Sequence, residues 1–222
     1  MTLQSEFAFD LRHGTATWVP AEVGRGCSER PGAVQDAVQY QGVSPRMMNR
    51  VLSCLPLAAR TSTFIDYGCG KGRALMLALQ AGFQNVVGVE FDPCLANLAQ
   101  VNLARARRLS IKGKVRIEVV DAAGFSPPPG PLVGFLYNPF GGDTLRRVAR
   151  RLSRHASKFP VWIAYINPVH LEEFRSEGFV VTATWSHREG LGAAILSSDD
   201  GSTAYRNSLD FQTGSDRGHP KT

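Results

Sequence analysis

The sequence is poor in cysteine, and its four cysteines (Cys27, Cys54, Cys69 and Cys94) form no C-x-x-C pair and no metal-ligand spacing. That argues against a disulfide framework or a zinc site, and the expectation is a metal-free chain in a reducing compartment. Long apolar runs are missing too. The best candidate, ALMLALQAGF, is interrupted by Gln80 and Gly82 and is too short to span a bilayer, so no membrane partner is expected. The opening MTLQSEFAFD lacks the basic stretch and apolar run of a secretory signal. Internal repeats are absent. Low complexity is confined to SPPPGP at 126–131, whose prolines exclude a helix there. These absences leave a soluble, cytoplasmic globular protein as the expectation.

What is present describes one domain. A chain of 222 residues is one generous domain, and 43% apolar residues suffice to bury a core and are too many for disorder. Charge is uneven. The net +6 conceals 12 basic and 3 acidic residues between Gln100 and Pro160, a balance of +9, with −3 over the remainder. Such a local positive field attracts nucleic acid or an anionic substrate, or is simply a solvated helix face.

Residues 1–39 carry no clean period and read as an arm with at most one short helix. Ser44 and Pro45 form an N-cap and N1 pair ahead of Met47, Met48, Val51, Leu52 and Leu55 at helical spacing, and Pro56 ends the run. From Thr63, short apolar runs alternate with helical patterns. Strands are expected at 63–66, 85–91, 114–122, 132–138 and 161–167, and helices at 71–81, 93–110, 143–158 and 169–177. FVVTATWS (179–186) and GAAILSS (192–198), joined by a short polar connection, add an antiparallel hairpin. The fold class is α/β, with one mostly parallel sheet.

Asp66-Tyr67-Gly68-Cys69-Gly70-Lys71-Gly72 lies between a strand and a strongly apolar helix. Glycines there permit a tight turn and close backbone approach to a ligand, and the N–H groups of the following helix point to the same place. Glu90 ends the second strand, 22 residues after Gly68, and its two oxygens match the vicinal diol of a ribose. Asp121 ends the third strand, placed to accept from an exocyclic adenine amine. Open α/β sheets bind ligands outside the carboxyl ends of their strands, so the three features describe one adenosine site. Plainer readings stand beside this one: Glu90 as a solvated strand end, Asp121 as a turn former, Cys69 as a small filler. A nicotinamide dinucleotide is the competing ligand, although the third glycine comes one residue early for G-x-G-x-x-G.

The loop, Glu90 and Asp121 resemble, in order and spacing, motifs I, II and III of the class I S-adenosylmethionine-dependent methyltransferases, over about residues 40–198. The resemblance implies a single-domain Rossmann-like sheet of seven strands, mostly parallel, with a C-terminal antiparallel hairpin and helices on both faces. It implies S-adenosylmethionine as cofactor, held by Asp66, Gly68, Gly70, Glu90 and Asp121, with Asn138 beside the donor methyl. Within the family, Tyr40-Gln41-Gly42-Val43-Ser44-Pro45, FIDYGCGKGR and VVGVEF look most like Dot1-type lysine methyltransferases and related bacterial proteins. That implies a cofactor contact for Tyr40, while Val43 stands where those enzymes carry threonine.

Tyr137-Asn138-Pro139-Phe140, at the end of the fourth strand, resembles motif IV of amino methyltransferases that act on planar bases. The Asn138 side-chain oxygen and the Pro139 carbonyl can accept N–H bonds from an amine and aim its lone pair at the methyl carbon. Phe140 can stack on a planar base or face a cationic centre. Asn138, Pro139 and Phe140 are therefore the expected catalytic group. The motif's second proline is missing, and Gly141 and Gly142 follow instead. In the plainer reading Pro139 ends the strand and Phe140 packs in the core. An oxygen acceptor would need a base, for which His170, just past Asn167-Pro168, is the candidate.

In TLRRVARRLSRHASKF, Leu145, Val148, Leu152, Ala156 and Phe159 make one helical stripe. Arg146, Arg147, Arg150, Arg151, Arg154 and Lys158 then face outward, read first as a solvated face and second as a nucleic-acid surface. The expected layout is an arm and helix over 1–60, a candidate lid for substrate or cofactor; a cofactor-binding core over 61–198; and a polar tail over 199–222. The functional expectation is a methyltransferase acting on an amine nitrogen. Its acceptor class is open, a small molecule standing ahead of protein or nucleic acid, and so is its oligomeric state. The alternatives are a small-molecule O-methyltransferase, an NAD-dependent oxidoreductase, and a catalytically silent nucleic-acid-binding module.

Overall fold

In the computed structural model, which describes residues 3–17, 42–107, 112–137, 139–187 and 190–198, the apolar runs become seven strands. These are β1 (Thr63–Tyr67), β2 (Asn85–Glu90), β3 (Lys114–Val119), β4 (Leu132–Tyr137), β5 (Val161–Ile166), β6 (Val180–His187) and β7 (Gly190–Ser197). They form one sheet in the order β3-β2-β1-β4-β5-β7-β6. The first five are parallel, and β7 pairs antiparallel with both β5 and β6. This is the expected α/β sheet with its terminal hairpin.

Helices cover both faces: α1 (Leu3–His13), α2 (Pro45–Ser53), α3 (Arg73–Gln80), α4 (Pro93–Arg107), α5 (Gly142–Ala156) and α6 (Leu171–Arg175). Alternation along a strand sends neighbouring side chains to opposite sides. Phe64 accordingly joins a cluster with Met48, Leu52, Leu75 and Met76, while Ile65 joins one with Leu145, Leu152 and Phe174. Ser44 caps α2 as the sequence suggests, its Oγ accepting the Met47 N–H at 3.2 Å, with Pro45 following. On α5, Leu145, Val148, Ala149 and Leu152 are buried. Each large aliphatic among them contributes about 1.5–3 kcal/mol by leaving water.

Three expectations are corrected. The third strand is shorter than 114–122: β3 ends at Val119, so Asp121 lies in the turn beyond it. As the outer strand it is also only partly buried, with an exposed Arg116–Glu118 pair. The last helix shortens to α6 because Asn167 adopts a left-handed φ of 49° and Val169 N–H folds back onto the Asn167 carbonyl. Cys94 is disulfide-bonded, whereas Cys54 and Cys69 are free. Spacing along the chain says little about a pairing that only folding brings within reach. The tail over 199–222 lies outside the described residues. Among the described residues no helix is long and apolar enough to cross a membrane.

Candidate active site

The strand order reverses between β1 and β4, and the crevice of an open α/β sheet opens at such a switch point. Gly68 leaves β1 at φ 84°, and Pro139 follows β4. A Cβ on Gly68 would fall 2.5 Å from the Pro139 Cβ. Any side chain at Gly68 would therefore drive the two segments apart, so the glycine loop and Pro139 form one surface.

Glu90, the last residue of β2, is buried beneath the loop. Its Oε2 accepts the Gly70 N–H at 2.8 Å and its Oε1 the Asp92 N–H at 3.0 Å. Each carboxylate oxygen retains lone-pair capacity for one hydroxyl of a ribose. Asp92 in turn accepts N–H bonds from Cys94 and Leu95 at the head of α4. Burial raises the Glu90 pKa, and the N–H bonds oppose the rise. Asp66 is also buried, and its carboxyl is held well above the usual range by burial first and by Glu90 second. Asp121 is half-buried and its Oδ1 accepts the Ala123 N–H at 2.9 Å. The adjacent Val120 N–H bonds the Glu90 carbonyl at 2.9 Å, which brings the third acid beside the second. Cys69 fills space: a Cβ on Gly88 would lie 2.7 Å from its Sγ, and burial pushes its thiol up.

On the acceptor side, Asn138 lies outside the described residues, as does Tyr40. Phe140 is largely buried in the cluster with Leu145 and Phe174. His170 precedes α6 with its Nδ1 3.4 Å from where a Gly142 Cβ would stand, so His170 and the head of α5 meet at the same end of the sheet. Nearby, the Tyr165 hydroxyl is buried beside the His170 backbone, and burial pushes its pKa up to about 12 against the opposing effect of that backbone group. Among the described residues no group of three His, Cys, Asp or Glu could hold a metal ion.

Two residues that sequence reasoning passed over tie the N-terminal segment to the loop. Arg73, the first residue of α3, is 1% exposed. Its Nε donates to Thr17 Oγ1 at 2.7 Å, its Nη2 lies 3.5 Å from Asp10 Oδ1, and its guanidinium sits 4.8 Å from the Phe9 ring centre. Asn102 on α4 donates to the Lys71 carbonyl and accepts the Ala16 N–H, both at 3.1 Å. One signal was available for Arg73. A cation at a helix N-terminus opposes the helix dipole and calls for an anion from elsewhere.

No family model matches the chain. A stretch of 69 residues is 38% identical to the adenine nucleotide translocase lysine N-methyltransferase of Mus musculus, spanning 31% of this chain and 29% of that protein. The chain thus matches under a third of that relative's length. Among solved structures, a geranyl diphosphate methyltransferase in complex with GPP and sinefungin is 16% identical at a TM-score of 0.51, over 69% of this chain and 78% of that one. The ribosomal protein L11 methylase of Lactobacillus delbrueckii subsp. bulgaricus is 15% identical at a TM-score of 0.49, over 67% and 75%. The likeness to the first of these structures is one of fold. The chain has the Rossmann-like, seven-stranded fold of the S-adenosylmethionine-dependent methyltransferases.

Proposed function

We propose that the chain is an S-adenosylmethionine-dependent methyltransferase whose acceptor is an amine nitrogen. The observation that carries the reading is Glu90: a buried acid at a strand end that braces the glycine loop and keeps lone pairs for a diol. The residues fit the cofactor. Gly68 leaves room where a Cβ would fill it, Asp66 supplies a buried carboxyl whose ionised form a cofactor's positive charge would favour, and Asp121 stands ready for the adenine amine. When bound, the cofactor supplies an electrophilic methyl on a sulfonium. The chain's own part would be to hold a neutral amine nitrogen in line with that methyl. Asn138 and the Pro139 carbonyl orient the amine, and closure of the site excludes water. The segment over 1–60 serves as the lid, with Tyr40 on the cofactor. Support for an amine comes from the motif at 138–140 and from the partial relative, whose name specifies lysine.

The test is transfer of labelled methyl from S-adenosylmethionine into cell extract separated into protein, nucleic acid and small molecules. Label stable to mild base is expected, as for an N-methyl group, and base-labile label would indicate a carboxyl oxygen. Asn138→Ala is expected to leave S-adenosylhomocysteine affinity within about twofold and to lower kcat about 10²-fold, within the range misorientation produces. Full turnover by that variant removes Asn138 from the acceptor site.

A further inference from the structure

Helix α5 carries six basic side chains within or just past it, and the structure divides them into two groups. Arg146 is engaged by Glu173 through two bonds of 2.8 and 3.0 Å and by Asp143 at 2.9 Å, and Arg150 by Glu177 at 3.1 Å. These two arginines form the rungs that fasten α6 to α5. Arg147, Arg151, Arg154 and Lys158 have no carboxylate partner among the described residues. Their spacing of four, three and four residues, at about 100° per residue, puts them on one stripe. Neighbours on it stand about 5–6 Å apart at Cβ.

Three of the four, Arg151, Arg154 and Lys158, border a groove of about 320 Å³ between the 126–129 segment and the second half of α5, and Arg147 continues the stripe one turn before it. Arg151, Arg154, His155, Lys158 and Phe159 line it, and no carboxylate does. Two of the lining side chains are anchored to backbone carbonyls. Arg151 Nε donates to the Ala123 carbonyl, and His155 Nε2 donates to the Gly130 carbonyl at 2.8 Å. The rings of His155 and Phe159 lie 5.1 Å apart. Ala123 is two residues from Asp121, so through this bond Arg151 stands close to the proposed adenosine end of the crevice.

We propose that this groove binds a single-stranded nucleic acid, the four cations pairing with successive phosphates and Phe159 offering its face to a base. A repeating row of cations suits a repeating row of phosphates. An aromatic pair among the cations suits a strand with unpaired bases, because stacking needs only a π-face. An acidic peptide has no use for the rings, and a lone phosphate none for the length of the stripe. The proposal concerns binding and stands apart from the methyl-transfer reading.

The test uses the full chain and a fluorescein-labelled oligouridylate of about a dozen residues, read by anisotropy across a salt series. Four phosphate contacts on a single strand predict a slope of log K against log salt of about −2.8, or an about 50-fold loss between 50 and 200 mM. Arg147→Glu/Arg154→Glu/Lys158→Glu is expected to abolish binding at 100 mM salt while leaving the melting temperature within a few degrees. Phe159→Ala should weaken binding about tenfold with the slope unchanged, the signature of a stacking contact. Arg105→Glu/Lys112→Glu/Lys114→Glu changes net charge equally at the far edge of the sheet and should weaken binding far less. Equal loss in the two triple variants, equal competition by polyglutamate, or no binding at 50 mM salt would each overturn the proposal.

Discussion

Glu90 does its work before any ligand arrives. With both oxygens already holding loop N–H groups, truncating it to alanine leaves two buried donors unpaired, at about 1–3 kcal/mol each. Asp66 is the opposite case, an acid the empty fold tolerates poorly. Its carboxyl is raised by burial and then by Glu90, so between its unfolded and folded pKa values the folded form binds more protons. Stability of the empty protein therefore falls as pH rises through the raised value. Asp66→Asn removes that burden. It is expected to raise the melting temperature at neutral pH, flatten its dependence on pH, and weaken binding of S-adenosylhomocysteine. A lowered melting temperature with unchanged affinity would contradict this role. Both acids were legible in the sequence because a glycine loop, the acid beside it and acids near the next two strand ends coincide. What the sequence did not disclose is that Glu90 braces the loop itself, since that bond depends on how sharply the loop turns back over β2.

At the scale of elements, strands and helices were legible wherever period and punctuation agreed. Ser44-Pro45 marks the start of α2 and the hairpin ends the sheet as expected. β3 was read too long because its apolar residues resemble those of inner strands, yet it occupies an edge, and Val119 is 49% exposed. The attachment of the N-terminal segment was not legible, because Arg73 meets Asp10 and Thr17 across more than fifty residues of chain. Breaking a buried ion pair by removing one partner costs about 3–5 kcal/mol. Arg73→Met is therefore expected to destabilise the protein by that amount and to speed hydrogen exchange at residues 9–17 more than in β4 or β5. Asp10→Asn should do the same, more weakly. Uniform acceleration across the sheet would show that Arg73 supports the core in general and not this attachment.

Across the whole molecule, one geometric fact organises the rest: the chain reverses its strand order between β1 and β4 and brings its glycine loop and Pro139 together at that edge. The edge was legible because each feature lies at a strand's carboxyl end, and strand ends are set by short-range pattern. The acceptor was not, because the same edge serves many chemistries and the specificity lies in segments grafted onto it. The charge asymmetry was visible as a count, but only folding separates the arginines that fasten α6 from those that border the groove. The most direct test of the central claim is calorimetric titration of the full chain with S-adenosylhomocysteine and, separately, with NAD. One saturable site is expected for S-adenosylhomocysteine, weakened at least tenfold by Asp66→Asn, and no heat from NAD. Saturable binding of NAD with none of S-adenosylhomocysteine would contradict it and make the edge a dinucleotide site.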